Sequence, residues 1–237
     1  MNSPLVDIAG TELNFDSSLK YAEIYNIPTA YVQTIINEMN DDKIYQKIFD
    51  SLNNKKLKIL DIGGNIGLFS FYVYPYCANI LAVEPTPYHV DIFNDIVDKL
   101  GYDKIKVLQG AISDVRGTTK FFTNNTNSTM NTMRFVNDMG YDAEIQVEAY
   151  PMTELIKISG FDEVDFVKLD IEGGEEKVLF SEDFKIASDK IKSIYVEVHQ
   201  GLGINLSGIL DRLKEVGFSN ISLTPYHSNQ GVYATKE

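Results

Sequence analysis

Residues 57–67 read LKILDIGGNIG, and this stretch decides the fold. Its first half is a short apolar run, as carried by a strand with both faces of a parallel sheet covered. Its second half is a glycine turn, where the chain can bend tightly and admit a ligand close to its backbone. A strand that ends in glycines before a helical pattern predicts the first unit of an open α/β sheet. Ligands of such sheets bind beyond the carboxyl ends of the strands.

The pattern continues on the C-terminal side. A helix is expected over 66–74, a strand NILAVEP at 79–85, a helix over 88–100 and a strand KIKVLQG at 104–110. This alternation predicts a parallel sheet with right-handed crossovers. The Thr- and Asn-rich stretch 117–133, followed by EIQVEAY at 144–150, reads as a strand pair with a polar loop, inserted between sheet elements. Strand VDFVKLDIE (164–172), helix 175–179, strand SIYVEVH (193–199) and helix 205–216 resume the alternation. FSNISLTP (218–225) and QGVYATK (230–236) read as an antiparallel hairpin. Upstream, 1–20 read as an irregular arm. Apolar residues at helical spacing from Pro28 to Leu52 predict two helices, broken at Asn40-Asp41-Asp42. Two parts are therefore expected: an arm with helices over 1–55, and an α/β domain over 56–237.

Composition narrows the function. The chain has 237 residues, 21 Lys+Arg against 34 Asp+Glu, and a formal net charge of −13. Phosphate-rich partners need clustered Lys and Arg, so nucleic acid and anionic membrane surfaces are not expected partners. The single cysteine, Cys77, lies in an aromatic stretch that reads as core. With no intramolecular disulfide possible and no apolar run of signal-peptide or membrane-span length, a cytoplasmic location is expected.

The glycine turn is neither a nicotinamide nor a flavin fingerprint. A G-x-G-x-x-G frame beginning at Gly63 meets Asn65 and Leu68, and one beginning at Gly64 meets Ile66 and Phe69. A P-loop is absent too, because no Lys-Ser/Thr follows. Asp61 suits a cationic group such as an amino-acid ammonium, and exposed loop amides can receive a carboxylate. Glu84, closing the second strand, can accept from both ribose hydroxyls. Ammonium, carboxylate and ribose together describe S-adenosylmethionine. The alternative is a plain strand-to-helix turn with Glu84 as a solvated strand end.

DIGGNIGLFSFY, AVEPTPYHVDIF, QGAISDVRG and DFVKLDIEGGEEKVL, in this order and spacing, resemble the FkbM family of S-adenosylmethionine-dependent methyltransferases over about residues 57–200. The most specific block is Lys168-Leu169-Asp170-Ile171-Glu172-Gly173 followed by Gly174-Glu175. Two departures stand out. Gly64 replaces a usual Ala, and Ala149-Tyr150-Pro151-Met152 stands where a Leu-Asp pair is frequent. The resemblance implies a class I methyltransferase (Rossmann-like) fold, a seven-stranded mixed sheet with helices on both faces and the last strand antiparallel. It implies cofactor contacts from Asp61, Gly63, Gly64, Asn65 and Gly67 to the methionine part, from Glu84 to the ribose, with Pro85 shaping the turn. Gln109 or Ser113 would reach the adenine edge, Ala111 and Ile112 would cover its face, and Asp170 would lie beside the cofactor.

Methyl transfer needs an aligned acceptor and, for a hydroxyl, removal of a proton. Asp170 and Glu172 end one strand, Glu197 and His199 the next, each pair at period-two spacing. These four are the candidate catalytic residues, with Asp170 and His199 the leading bases, since a histidine titrates near neutrality. Glu172 also reads as a helix-start acid. A divalent cation is compatible with such ligands, but the spacing is unspecific and no metal ligand is assigned. The polar loop TNNTNSTMNTMRF (123–135) reads as a lid, its Arg134 available to a charged group. His89, Tyr88 and the Tyr226-His227 pair read as surface or core features. The expected activity is O-methyl transfer to a small-molecule hydroxyl, a sugar of a glycan or glycosylated metabolite. The alternatives are a non-catalytic nucleotide-binding module and a protein or nucleic-acid methyltransferase. The last lacks its Asn/Asp-Pro-Pro-aromatic motif, since the position reads DIEGGE.

Overall fold

The computed structural model describes residues 56–124, 131–133, 140–226 and 229–236, with Glu23, Tyr25, Thr29, Ala30, Val32 and Gln33 near the N-terminus. The two helices expected between Pro28 and Leu52 fall largely outside these residues, as do the arm over 1–20, Arg134 and His227.

The strands are β1 (Leu57–Ile62), β2 (Cys77–Glu84), β3 (Ile105–Gln109), β4 (Ala111–Ile112), β5 (Gly117–Thr123), β6 (Ala143–Tyr150), β7 (Phe166–Leu169), β8 (Ser193–Val198), β9 (Asn220–Tyr226) and β10 (Asn229–Thr235). The helices are α1 (Leu68–Val73), α2 (Pro87–Leu100), α3 (Met152–Ser159), α4 (Glu175–Leu179), α5 (Glu182–Ser188) and α6 (Leu206–Glu215). Seven strands form one sheet in the order β3-β2-β1-β7-β8-β10-β9. β10 runs antiparallel to both neighbours, β8 and β9. The expected mixed sheet and closing hairpin are therefore present. β4, β6 and β5 make a second, three-stranded sheet, with β5 and β6 antiparallel as the strand-pair reading required.

Successive side chains of a strand face opposite ways, and β1 shows the result. Ile59 joins one core cluster with Phe71, Phe93 and Phe166, while Leu60 and Ile62 join another with Met152, Leu179, Phe184 and Leu213. Helices α1 and α2 thus cover one face, and α3 to α6 the other. Burying each such aliphatic or aromatic side chain contributes about 1.5–3 kcal/mol. Val32, fully buried, belongs to the first cluster, and the hydroxyl of Tyr25 donates to Asp95 on α2 at 2.8 Å. Tyr25 and Val32 are thus packed onto the α/β domain. Cys77 is buried and free, as its setting suggested, and burial pushes its thiol up to about 11.

Two helices went unread in the sequence: α3, whose short MTELIKIS follows Pro151, and α5, capped by the Ser181 hydroxyl accepting from the Phe184 amide at 3.0 Å. The strand expected to reach residue 172 stops at Leu169. Asp170 and Glu172 lie in the turn beyond it, so strand periodicity is not what aligns them. Among the described residues no helix is long and apolar enough to cross a membrane.

Candidate active site

The order of the sheet assembles the site. β7 lies between β1 and β8, with Asp61 in register with Lys168 and Lys168 with Tyr195. The glycine turn after β1, the acidic turn after β7 and His199 after β8 therefore emerge side by side.

Asp61 is fully buried on the α1 face. Its Oδ2 accepts from the Ser70 hydroxyl at 2.6 Å. Its Oδ1 has no hydrogen-bond donor among the described residues, and Nζ of Lys168 lies 3.9 Å away. Burial raises the Asp61 carboxyl above its ordinary value despite that lysine. Gly63 adopts φ +83°, and a Cβ there would lie 1.7 Å from the Asp170 carbonyl oxygen. Gly67 adopts φ +92°, and a Cβ would strike Phe71 and Phe93 at 2.6 Å. Gly64 is different, its nearest contact being Phe93 at 3.2 Å.

The loop amides correct one expectation. Those of Gly63 and Gly64 both donate to the Val83 carbonyl at 3.0 Å, and that of Gly67 donates to the Gly64 carbonyl. The Asn65 amide donates to Oε2 of Glu84 at 2.9 Å, and the Ile66 amide to Oδ1 of Asn65 at 2.7 Å. These donors shape the loop itself and are not presented to a carboxylate. Glu84 is correspondingly buried, its Oε1 also accepting from the Thr86 amide at 2.8 Å and facing Nδ1 of His89 at 3.3 Å. Burial alone would raise its carboxyl, but the His89 and Thr86 contacts outweigh it and hold Glu84 below the usual range. Pro85 is buried beside it.

At the end of β3, Gln109 is in register with Glu84 and exposed. Ala111 and Ile112 do not offer an open face to an adenine. Ala111 packs with Phe121 and Val147 under the second sheet, and Ile112 joins the large core cluster. Ser113 is buried, its hydroxyl donating to Asp114 at 2.9 Å.

The four candidate catalytic residues do converge. Nε2 of His199 lies 3.2 Å from Oε2 of Glu172, 3.5 Å from Oε1 of Glu197 and 3.8 Å from Oδ1 of Asp170. Two neighbours, named in the sequence only as part of the motif, had no role assigned to them. Glu175, fully buried at the start of α4, places Oε1 2.7 Å from Nδ1 of His199. Lys168 donates to Oδ2 of Asp170 at 2.9 Å and to the Gly63 carbonyl at 3.3 Å. A signal existed for each: Lys168 interrupts a strand buried on both faces and so demands a partner, and Glu175 follows Glu172 by three residues.

The electrostatics revise the roles of the bases. Burial would lower His199, but hydrogen bonds with Glu172 and Glu175 raise it well above 6.5. With both nitrogens facing carboxylates, the ring is held toward its protonated form, the form that cannot accept a further proton. Asp170 is weakened too: burial pushes it up, but Lys168 and His199 hold it below its ordinary value. Burial raises Glu172, whose backbone is left-handed at φ +53°. Of the expected lid, the described residues are Thr123, Asn124 and Asn131 to Met133. The Asn131 amide group donates to the Thr86 hydroxyl at 3.2 Å, and the Thr132 hydroxyl donates to the Glu172 carbonyl at 2.5 Å. These residues tie the Glu84 side of the site to the acidic turn.

The methyltransferase FkbM domain model matches residues 61–219. The chain belongs to the FkbM methyltransferase family, and its fold is that of class I S-adenosylmethionine-dependent methyltransferases. No curated protein sequence matches it significantly. Among solved structures, the METTL16 MTase domain aligns with a TM-score of 0.57 at 12% identity, covering 94% of this chain and 80% of that one. Magnesium protoporphyrin IX methyltransferase (ChlM) from Synechocystis PCC 6803, with bound SAH, aligns with a TM-score of 0.51 at 11% identity, covering 99% and 93%. At such identities the likeness is one of fold.

Proposed function

We propose that this protein is an S-adenosylmethionine-dependent O-methyltransferase whose acceptor is a hydroxyl of a small molecule, a sugar in a glycan or glycosylated metabolite. The observation that carries this reading is the convergence of Asp170, Glu172, Glu197 and His199 beside the glycine turn. The cofactor, when bound, supplies a methyl group already activated by its sulfonium. The chain's own residues supply alignment and charge. Asp61, with a buried oxygen that accepts no hydrogen bond among the described residues, fits the ammonium; Gly63 and Gly67 keep the turn thin, and Glu84 stiffens it and is the residue that would bind the ribose. The acidic cluster accepts the hydrogen bonds of an acceptor hydroxyl and takes up its proton. An acceptor without phosphates agrees with the charge of −13.

Calorimetric titration with S-adenosylhomocysteine (SAH) tests the cofactor half, and absence of binding at millimolar ligand rejects it. A mass-spectrometric screen of hydroxylated acceptors for the gain of one methylene tests the other half. Gain only on amino or carboxyl acceptors would overturn the hydroxyl assignment.

A further inference from the structure

We propose that Asp170, Glu172 and His199 bind a hard divalent cation of the Mg²⁺ or Mn²⁺ class, at the point where the acceptor must lie. One ligand atom from each of the three lies within 4.8 Å of the others. Two ligands on opposite sides of one ion, with bonds of ~2.1–2.5 Å, are ~4–5 Å apart, so a single ion reaches all three with small side-chain shifts.

Charge points the same way. Three carboxylates crowd one nitrogen of His199, and a fourth, Glu175, faces the other nitrogen. Lys168 is committed to Asp170 and the Gly63 carbonyl. One ring proton does not balance such a group.

The far side of the ring gives an independent observation. Metal-bound histidines characteristically donate their second ring N–H to a carboxylate, which fixes the ring and points its other nitrogen at the ion. Glu175 is the accepting carboxylate here, its Oε1 2.7 Å from Nδ1 of His199, and the same oxygen accepts from the Gly173 amide at 3.1 Å. The carboxylate is fully buried, and its Oε2 has no hydrogen-bond partner among the described residues. An unpaired buried carboxylate oxygen is costly, and cationic charge one imidazole away offsets that cost.

Asp170 and Glu172 keep about a quarter to a third of their side-chain surface open. Three protein ligands leave coordination positions free on this open side. A hydroxyl oxygen held there is acidified by the ion. This last point rests on the hydroxyl-acceptor reading; the cation site does not.

The test is titration of the full chain, stripped with chelator, with Mn²⁺ followed by electron paramagnetic resonance. One Mn²⁺ per chain is expected, with spin-echo modulation from a coordinated imidazole nitrogen in the wild type. Glu172→Gln and Asp170→Asn are expected to weaken binding at least tenfold, and the distant Glu154→Gln not at all. No binding at millimolar Mn²⁺, bound Mn²⁺ without nitrogen modulation, or affinity unchanged in both cluster variants would each overturn the site. The wild-type spectrum decides even if the variants do not fold. SAH titration of the same stripped protein separates the two readings. SAH binding without Mn²⁺ binding sinks the cation site alone; Mn²⁺ binding without SAH binding sinks the methyltransferase reading and leaves the site standing.

Discussion

Nζ of Lys168 lies 2.9 Å from Oδ2 of Asp170 while the same ammonium faces the buried Asp61 at 3.9 Å. One side chain therefore links the carboxylate expected to meet the cofactor with the one expected to meet the acceptor. Because Lys168 is itself buried, both links operate at low dielectric, where a missing partner is costly.

Lys168→Met accordingly leaves the buried Asp61 and the partly buried Asp170 without the ammonium between them. Breaking such a group costs about 3–5 kcal/mol, to be read from urea denaturation. A loss below about 1 kcal/mol would show that the lysine is not what balances Asp61 and Asp170. Asp61→Asn keeps an acceptor for Ser70 and leaves Lys168 its pairing with Asp170, so it is expected to destabilise less than Lys168→Met while weakening SAH binding at least tenfold. Unaltered SAH affinity would remove Asp61 from the cofactor site.

Neighbouring glycines are expected to respond oppositely. Gly63→Ala drives a methyl group into the Asp170 carbonyl and imposes a left-handed backbone on alanine, so folding or SAH binding should be lost. Gly64→Ala needs Phe93 to yield by only a few tenths of an ångström and restricts the unfolded chain. Its stability is expected within about 1 kcal/mol of wild type. Comparable thermal melts for the two variants would contradict this.

Glu84 predicts a pH dependence. Its folded-state pKa is held below the ordinary 4.5, so its contribution to stability is fully present above about 4.5 and lost as pH falls through the folded value. Glu84→Gln should therefore differ most from wild type at neutral pH, with the gap narrowing below 4.5. A gap constant from pH 7 down to the acid transition would mean that the charge on Glu84 contributes nothing.

Asn131→Ala removes the acceptor of the Asn124 amide (2.7 Å) and the donor to Thr86. Faster hydrogen exchange at the Asn124 amide is expected, together with a loss of about 1–3 kcal/mol. Unchanged exchange would show that Asn131 does not hold this segment down.

The sheet was legible because its strands are apolar runs between glycines and polar turns, and β1, β2 and β8 keep that signature along nearly their whole length. α3 and α5 were not: eight and seven residues give too few turns for a helical period to stand out, and neither follows a glycine turn at a strand end, the cue that marked the shorter α1 and α4. The convergence of Asp170, Glu172, Glu197 and His199 followed from strand ends that are adjacent in the sheet. Their chemistry did not follow. Whether His199 takes a proton depends on Glu175 reaching back from the next helix, and whether Asp170 is a base depends on Lys168, two residues earlier in the same segment. Such contacts are set by side-chain direction beyond the strand, which periodicity does not encode. The loop amides were misjudged for a similar reason, their acceptor Val83 belonging to another strand.

Glu172 has a left-handed backbone at φ +53°, a conformation costing a side chain roughly 1–2 kcal/mol that glycine does not pay. The glutamate is thus kept against a conformational preference for glycine. Selection for thermal robustness alone would replace it, and Glu172→Gly should match or exceed the wild type in melting temperature while losing its function. If Glu172 serves the site as proposed, this position gives up durability for chemistry.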